Sequence, residues 1–337
     1  MDRLIDIRAL TKTYPGPGLF GAARHGVTAV SGVTFGIERG TVFGLVGESG
    51  CGKTSLVRAL LYLDPPSAGE VRFDGTLLGG LSARQLRPFR RRMQIVFQDP
   101  NSALNPKMRI ADSLAEGLIN RGFGPAERER RIAALLDLVG IPPAHGRRHP
   151  HEFSGGQKQR VVIARALAME PDFLVLDEPV SNLDVSIQAQ IINLLLDLKL
   201  ELALTYLFIS HDLNLVAYLS DRVGVMYRGR LVEVGATSDV MANPGHPYTR
   251  RLFASIPGRA VAGGREAAPL SEVAAGDQTA AAADGCPYRS GCGTGAPECG
   301  SGPPGWVEIR PGHRVACRMA SGAAPQGAAR SGGREIT

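Results

Sequence analysis

Long apolar runs are missing from this 337-residue chain. A membrane-spanning helix needs about 20 apolar residues in succession. The best candidate, around Leu202 to Ile209, is short and favours a buried strand. The residues from Met1 to Asp6 do not place a basic region before a long apolar one, so we expect no signal peptide. We therefore expect no membrane-spanning helix and a chain that stays in the cytosol.

Cysteine is scarce and unevenly placed. Four of the five cysteines lie between positions 286 and 317, which is not the pattern of a secreted disulfide scaffold. Cys286, Cys292, Cys299 and Cys317 have five, six and seventeen residues between successive members and include no Cys-x-x-Cys pair of the zinc-ribbon kind. Four thiolates can bind zinc or an iron–sulfur cluster, and the spacing leaves both open.

The composition describes a folded, basic chain. Hydrophobic residues make up 44% of the sequence, which is enough for one large core or two modest ones. The chain has 38 Lys and Arg against 32 Asp and Glu, a formal net charge of +6. That excess suits nucleic acid, an anionic membrane surface or an acidic partner, and it does not choose among them.

A glycine-rich stretch lies between an apolar run and a helical pattern, and it fits Gly-x-x-x-x-Gly-Lys-Ser/Thr. Its residues are Gly47, Glu48, Ser49, Gly50, Cys51, Gly52, Lys53 and Thr54, with Ser55 directly after them. Such a loop turns backbone N–H groups around a phosphate chain, and the following helix adds the positive end of its dipole. Lys53 is expected to reach the β and γ phosphates and Thr54 to bind Mg²⁺. The stretch predicts a nucleoside triphosphate site in which Cys51 is only a small residue.

Strand and helix patterns alternate through most of the chain. Antiparallel strands are predicted between Leu4 and Phe35. The strands of the main sheet are predicted near positions 42–46, 93–97, 173–176, 205–209 and 223–226, and the last one at 230–234. Residues from about 101 to 168 show helical spacing without a strand signal, which predicts a helical insertion. This order predicts an α/β fold with a mostly parallel sheet.

The composition changes after the main domain, which we expect to comprise residues 1–257. Residues 258–284 are rich in Ala and Gly and predict a flexible linker. Residues 285–319 predict a small Cys-rich module, and residues 320–337 a disordered tail. We find no internal repeat.

Two carboxylates end one of the predicted strands. Asp177 and Glu178 follow the apolar run 173–176 and are expected at the sheet edge that carries the glycine-rich loop. Asp177 would hold Mg²⁺ through water, and Glu178 would polarise the water that attacks the γ phosphate. An acidic pair at the end of a strand is common in proteins. These roles for Asp177 and Glu178 are therefore predicted because the glycine-rich loop is also intact.

Further motifs complete a family pattern. They are Tyr14, Gln98, Ser154-Gly155-Gly156-Gln157, Ser181-Asn182-Leu183-Asp184 and His211. With the loop and the carboxylates, this set resembles that of an ABC-transporter ATPase subunit over roughly residues 4–257, and the Ser-Gly-Gly-Gln element is its most specific part. The family usually has Leu where Phe153 stands.

A finer resemblance is to the ATPase subunits of bacterial dipeptide and oligopeptide importers. It rests on the loop sequence, Phe97-Gln98-Asp99-Pro100, Pro150-His151-Glu152-Phe153, Asp184 to Gln190, His246-Pro247-Tyr248-Thr249 and the C-terminal cysteines. Some chains of this branch carry a [4Fe-4S] cluster in a similar C-terminal extension. The resemblance therefore favours an iron–sulfur cluster on the four cysteines, with zinc or free thiols as alternatives.

The resemblance also implies roles for individual residues. Tyr14 would stack on the adenine, although a core or turn tyrosine is the alternative. Gln98 would touch the Mg²⁺ site and relay its state to the membrane subunits. His211 would hold Glu178 and the attacking water. Four residues would contact the γ phosphate of ATP bound to the opposite ATPase subunit: Ser154, Gly155, Gly156 and Gln157. Asp184 would line the interface between the two subunits.

The implied function is ATP hydrolysis that powers import of di- or oligopeptides. The expected cofactors are ATP and Mg²⁺, and the expected partners are a second, homologous ATPase chain, two permeases and an extracytoplasmic binding protein. The permeases would be contacted near Gln98 to Arg109, which places the chain peripherally on the cytoplasmic face of the membrane. Nickel, glutathione or antimicrobial peptides remain alternative substrates.

A different class of function is a soluble ABC ATPase that acts on ribosomes or DNA. Such chains usually carry two cassettes or a long coiled-coil insertion, whereas this chain has one cassette and no sustained heptads between Thr54 and Ser154. We therefore expect no nucleic acid partner.

Overall fold

The computed structural model describes residues 2–15, 26–255, 285–293, 297–300 and 302–320. The predicted linker at 258–284 and all but the first residue of the predicted tail at 320–337 lie outside these ranges. None of the helices in the described ranges has both the length and the apolar content that a membrane span requires.

The main sheet has eight strands in the order β11-β12-β10-β9-β3-β8-β7-β6. They are β3 (Val42–Val46), β6 (Met93–Val96), β7 (Phe173–Asp177), β8 (Thr205–Ile209), β9 (Arg222–Tyr227), β10 (Arg230–Ala236), β11 (Val307–Arg310) and β12 (His313–Val315). Strands β9, β3, β8, β7 and β6 run parallel to one another. All residues of β3, β7 and β8 are buried, as expected for strands covered on both faces. The predicted α/β fold with a mostly parallel sheet is confirmed.

A second, antiparallel sheet comes mainly from the N-terminal part of the chain. It contains β1 (Arg3–Tyr14), β2 (Val27–Glu38), β4 (Ala68–Phe73) and β5 (Thr76–Leu77), in the order β2-β1-β4-β5. Apolar side chains of this sheet share one core with the helix that follows the glycine-rich loop and with one face of the main sheet. The rings of Phe35 and Phe43, one from each sheet, stack at 4.6 Å.

Helices make up the other secondary-structure elements. They are α1 (Lys53–Leu60), α2 (Ala83–Arg92), α3 (Pro100–Ala103), α4 (Ile110–Asn120), α5 (Pro125–Leu138), α6 (Gly155–Leu167), α7 (Val185–Glu201), α8 (Leu213–Leu219), α9 (Thr237–Ala242) and α10 (Pro247–Ala254). Helices α3 to α6 and two 3₁₀ turns fill the chain between β6 and β7, a stretch that the structure describes throughout. The predicted helical insertion is confirmed as a purely helical segment.

The C-terminal cysteine region contributes two strands to the main sheet. Strand β12 pairs with β10, Val315 opposite Glu233, and β11 pairs with β12, so the region extends the main sheet. The prediction that the sheet ends at 230–234 is therefore wrong. Strands of three and four residues around the turn at Pro311 and Gly312 carry too little alternation to be recognised in a sequence.

Candidate functional site

The glycine-rich loop joins β3 to α1, and two of its glycines are needed for steric reasons. Gly47 has φ +156° and Gly52 has φ +105°. A Cβ at Gly47 would lie 2.2 Å from the carbonyl oxygen of Met226, and one at Gly52 would lie 2.3 Å from that of Ala29. A larger residue at either position would force the loop away from β9 or β2.

Lys53 folds back over this loop. Its Nζ donates to the carbonyl oxygens of Gly47 at 2.7 Å and Glu48 at 3.0 Å, and the residue is 7% exposed. Among the described residues no carboxylate lies within salt-bridge distance of Nζ. A nearly buried ammonium without an anionic partner, next to the start of α1, suits a phosphate chain. Thr54 is exposed in the first turn of the same helix.

Cys51 lies inside the loop with a buried side chain. Burial raises the pKa of its thiol, although Lys53 opposes the shift. The thiol is therefore neutral, as expected for a residue that only fills space.

Asp177 and Glu178 end β7 in different environments. Asp177 is 9% exposed, and burial together with the Glu178 charge raises its pKa while Lys53 lowers it. Glu178 adopts φ +49°, which is unfavourable for a residue with a side chain, and its N–H donates to Ile209 at 2.9 Å. This backbone turn comes where the β7–β8 pairing ends, so the Glu178 side chain leaves the sheet at its carboxyl edge.

One oxygen of Glu178 has two polar neighbours. Gln98 Nε2 donates to Glu178 Oε2 at 3.0 Å, and His211 Nδ1 lies 3.3 Å from the same oxygen. Gln98 Nε2 also donates to Ser181 Oγ at 3.2 Å. The Glu178 side chain is 16% exposed and the His211 side chain 60%. A carboxylate held between an amide and an imidazole at a solvent-accessible edge is placed to accept a proton from water.

The strand order explains why these residues meet. The loop follows β3, His211 follows β8, Glu178 follows β7 and Gln98 follows β6, and the four strands are parallel neighbours. Carboxyl ends of parallel neighbours lie along one edge of the sheet. The structure thus places Lys53, Asp177, Glu178, Gln98 and His211 at one edge.

Tyr14 is half-buried at the end of β1 and opposite Val27 of β2. Two residues further along β2, Ala29 touches the loop at Gly52. The ammonium of Lys12 lies 5.1 Å from the centre of the Tyr14 ring. Tyr14 is therefore on the side of the loop where β2 begins.

The Ser154-Gly155-Gly156-Gln157 element forms the start of α6. Ser154 and Gln157 exchange hydrogen bonds as a capping box. A Cβ at Gly156 would lie 2.5 Å from Cγ2 of Ile187, so glycine allows α6 and α7 to approach. In the described part of the chain, no hydrogen bond joins this element to the phosphate loop. Ser154 and Asp184, which precedes α7, are both exposed.

Comparison with known proteins identifies the family. A family model described as "ABC transporter" matches residues 30–181, and one described as "Oligopeptide/dipeptide transporter, C-terminal region" matches residues 232–299. A Brucella ovis protein, named provisionally as a peptide import ATP-binding protein, is 47% identical over 317 residues, which cover 93% of this chain and 97% of that protein. The chain belongs to the ABC transporter family.

Other relatives of this ABC transporter chain have similar names. The oligopeptide transport ATP-binding protein OppF of Bacillus subtilis is 48% identical over 259 residues, covering 76% of this chain and 83% of OppF. Among solved structures, cbiO1 of Clostridium perfringens, part of the cbiONQ transporter complex, has a TM-score of 0.63 at 30% identity, covering 72% of this chain and 92% of cbiO1. The ATP-binding cassette MJ0796, in a dimer bound to ADP and Pi, has a TM-score of 0.61 at 28% identity. The match covers 69% of this chain and 98% of MJ0796. The chain is thus an ATPase of the ABC type.

The predicted iron–sulfur cluster of this ABC ATPase is wrong. The described residues contain no group of three or more His, Cys, Asp or Glu side chains placed to hold a metal ion. Cys286, Cys292, Cys299 and Cys317 line one cavity of about 10 Å³. Burial raises the pKa of Cys286. The zinc alternative has no support either.

Sequence reasoning missed two contacts of the site. Ser181, in the predicted interface motif, accepts a hydrogen bond from Gln98. Tyr248 accepts one from the backbone N–H of Glu48 at 3.1 Å. The segment from His246 to Thr249 was part of the family resemblance, but 200 residues separate Tyr248 from Glu48 and no local pattern relates them.

Proposed function

We propose that this chain is the ATP-hydrolysing subunit of a membrane importer of di- or oligopeptides. The observation that carries the hydrolytic part is the single oxygen of Glu178 that contacts both Gln98 and His211, at the sheet edge that also carries the phosphate loop. The peptide substrate is supported by the names of relatives such as OppF.

The phosphate loop and Lys53 would bind the triphosphate of ATP. Lys53 would exchange its two loop carbonyls for the β and γ phosphates, with the dipole of α1 adding to the attraction. Ser55 lies in the first turn of α1 behind Thr54. Tyr14 would stack on the adenine from the β1 side of the loop.

Oxygen ligands for Mg²⁺ are available at the same edge. Thr54, Gln98 and Asp177 would hold the ion, because hydroxyl, amide and carboxylate oxygens are ligands that Mg²⁺ accepts. Bound Mg²⁺ would neutralise charge on the β and γ phosphates. Glu178 would accept the proton of the attacking water, and His211 and Gln98 would keep its carboxylate in position.

A second ATPase chain would complete the site. Ser154, Gly155 and Gln157 are exposed at the start of α6, and with Gly156 they would contact the γ phosphate bound by the partner. Asp184 and the 81% exposed Val185 next to it would line the interface. We propose a heterodimer with a homologous chain.

Two permeases and an extracytoplasmic binding protein complete the proposed importer. An open groove of about 390 Å³ is lined by residues between Asn101 and Met108, with Ser113, Glu116 and Arg165. It lies just beyond Gln98, which makes it a suitable contact for a permease. The chain would then lie peripherally on the cytoplasmic face of the membrane. The comparisons favour peptides over nickel or glutathione, and transport over an action on ribosomes or DNA.

Affinity purification from native membranes tests this assembly. The tagged chain is extracted gently and its partners are identified by mass spectrometry. We expect two permeases and a second ATPase chain, and the binding protein of the system can then be screened against peptides. Recovery of ribosomes or DNA from the soluble fraction, without membrane subunits, would contradict the importer.

A further inference from the structure

Tyr248 is buried beside the phosphate loop and has no part in the chemistry proposed above. Its hydroxyl accepts a 3.1 Å hydrogen bond from the N–H of Glu48, the second residue of the loop, and Tyr248 is 1% exposed. Burial raises the pKa of this hydroxyl far above its ordinary value, so the group is neutral at physiological pH. The bond ties the loop to the start of α10.

The start of α10 is itself held by a buried carboxylate. Glu233 on β10 is 0% exposed and accepts from the N–H groups of Gly245 at 2.7 Å and His246 at 2.8 Å. His246 Nδ1 then caps the helix by accepting from the N–H of Tyr248 at 3.0 Å. The backbone of Tyr248 is therefore anchored to the main sheet.

Two other tyrosines enclose the ring of Tyr248. Its centre lies 4.5 Å from that of Tyr227, at the end of β9, and 5.4 Å from that of Tyr288. Tyr288 belongs to the C-terminal segment, which is the described part of the chain between residues 285 and 320, and it is 5% exposed. The ring of Tyr288 therefore contacts the ring of Tyr248, whose hydroxyl in turn accepts the hydrogen bond from Glu48 of the loop. These two contacts connect the C-terminal segment to the phosphate loop.

We propose that Tyr248 is a positioning residue for nucleotide binding, and that Tyr288 of the C-terminal segment holds it in place. The hydroxyl keeps the Glu48 end of the loop in the shape that receives phosphate, and loss of either tyrosine lowers nucleotide affinity. This inference rests on the proposed nucleotide site. It gives the segment His246 to Tyr248 a function and links the C-terminal segment to that site.

Removal of one hydroxyl tests the positioning role. In the full chain, Tyr248→Phe deletes the acceptor of the Glu48 N–H and keeps the ring. We expect binding of MgADP, measured by isothermal titration calorimetry, to weaken about fivefold, the usual effect of one lost hydrogen bond. In the assembled transporter the KM for ATP should rise while kcat changes little, because Tyr248 touches no reacting group.

Tyr206→Phe is the matched control. Tyr206 is 2% exposed on β8, and its hydroxyl donates to the carbonyl oxygen of Leu195 at 3.0 Å. Both variants lose one buried hydrogen bond, and we expect similar decreases of Tm. Only Tyr248→Phe should weaken MgADP binding, and equal affinities of the two variants would overturn the proposal.

A second pair of variants tests the link to the C-terminal segment. Tyr288→Leu should weaken MgADP binding in the wild-type background and cause no further loss when combined with Tyr248→Phe, because the hydrogen bond is then already absent. Unchanged affinity in Tyr288→Leu would remove Tyr288 from the proposal.

Lys53→Ala separates failure of this inference from failure of the site itself. If the wild type binds no MgADP, or if Lys53→Ala binds as tightly as the wild type, the proposed nucleotide site is wrong. If Lys53→Ala loses binding while Tyr248→Phe behaves like Tyr206→Phe, only the positioning role is wrong.

Discussion

At the scale of single residues, Glu178 combines backbone strain with a shared carboxylate oxygen. Its φ of +49° is a conformation that a side chain disfavours; the residue directly follows the last β7–β8 pair, and its own N–H donates to the carbonyl oxygen of Ile209. The strain directs the carboxylate to Gln98 and His211. Such an arrangement suits a general base, because the carboxylate is oriented before ATP arrives.

Replacement of this carboxylate is the first prediction. Glu178→Gln keeps the size of the side chain and removes the proton acceptor, so ATP hydrolysis by the assembled complex should fall about 10²- to 10⁴-fold. Binding of MgATP should remain. The measurement is phosphate release at saturating ATP, with Glu201→Gln at the exposed end of α7 as control. An unchanged rate in Glu178→Gln would rule out the proposed base.

His246 provides a prediction about pH. Burial is the main reason that its pKa falls from 6.5 to about 4; Glu233 opposes this shift and Arg250 adds to it. The unfolded chain takes up a proton near pH 6.5 and the folded chain only near pH 4, so this group makes the protein less stable as the pH falls between those values. The loss amounts to about 3 kcal/mol of unfolding free energy by pH 4.

The variant His246→Asn isolates this effect. Its side-chain oxygen can still accept from the N–H of Tyr248, but it does not titrate. Urea unfolding at a series of pH values should show a shallower loss of stability below pH 6.5 than in the wild type. Parallel curves for the two proteins would show that His246 is not buried as a neutral base.

At the scale of elements, the phosphate loop depends on close contact between backbones. In the third prediction, Gly47→Ala places a Cβ 2.2 Å from the carbonyl oxygen of Met226, so the loop must move away from β9. We expect MgADP binding to weaken more than tenfold. Gly40→Ala is the control, because Gly40 also has a positive φ, +74°, but no neighbour within 4 Å of its Cβ. Equal affinities would contradict this loop geometry.

At the scale of the whole molecule, the C-terminal segment is part of the ATPase core. His313 Nε2 lies 2.7 Å from Glu233 Oε1, and both side chains are 0% exposed. In addition, β12 covers the edge of β10. The segment therefore supplies both a partner for a buried carboxylate and backbone hydrogen bonds for a sheet edge.

Truncation tests this dependence and is the fourth prediction. A chain that ends at residue 284 loses His313, the side-chain partner of the buried Glu233, and exposes β10, so Tm should fall by about 5 °C or more, because breaking a buried pair is costly. A chain that ends at residue 320 keeps β11, β12 and His313 and should melt like the full chain. Circular dichroism during heating is the measurement, and equal Tm values for both truncations would contradict the docking.

Local motifs predicted the ATPase chemistry, whereas the C-terminal strands of the main sheet left no comparable signal. The loop from Gly47 to Thr54 and the carboxylates at 177 and 178 were recognisable because phosphate binding demands particular residues at fixed short spacings. The cysteines show the limit of such reasoning. Their spacing agreed with a cluster, but the described residues contain no group of side chains placed to hold a metal ion.

The sequence by itself determined the alternating fold and the family, and it predicted the phosphate-site residues, because each depends on residues close together in the chain. Only the tertiary structure decided which distant groups meet. It brought Gln98 and His211 to one oxygen of Glu178, joined β12 to β10, and placed the Tyr248 hydroxyl on the loop. These contacts follow from strand order and from burial of single polar groups, which leave no periodic signal in the amino-acid sequence.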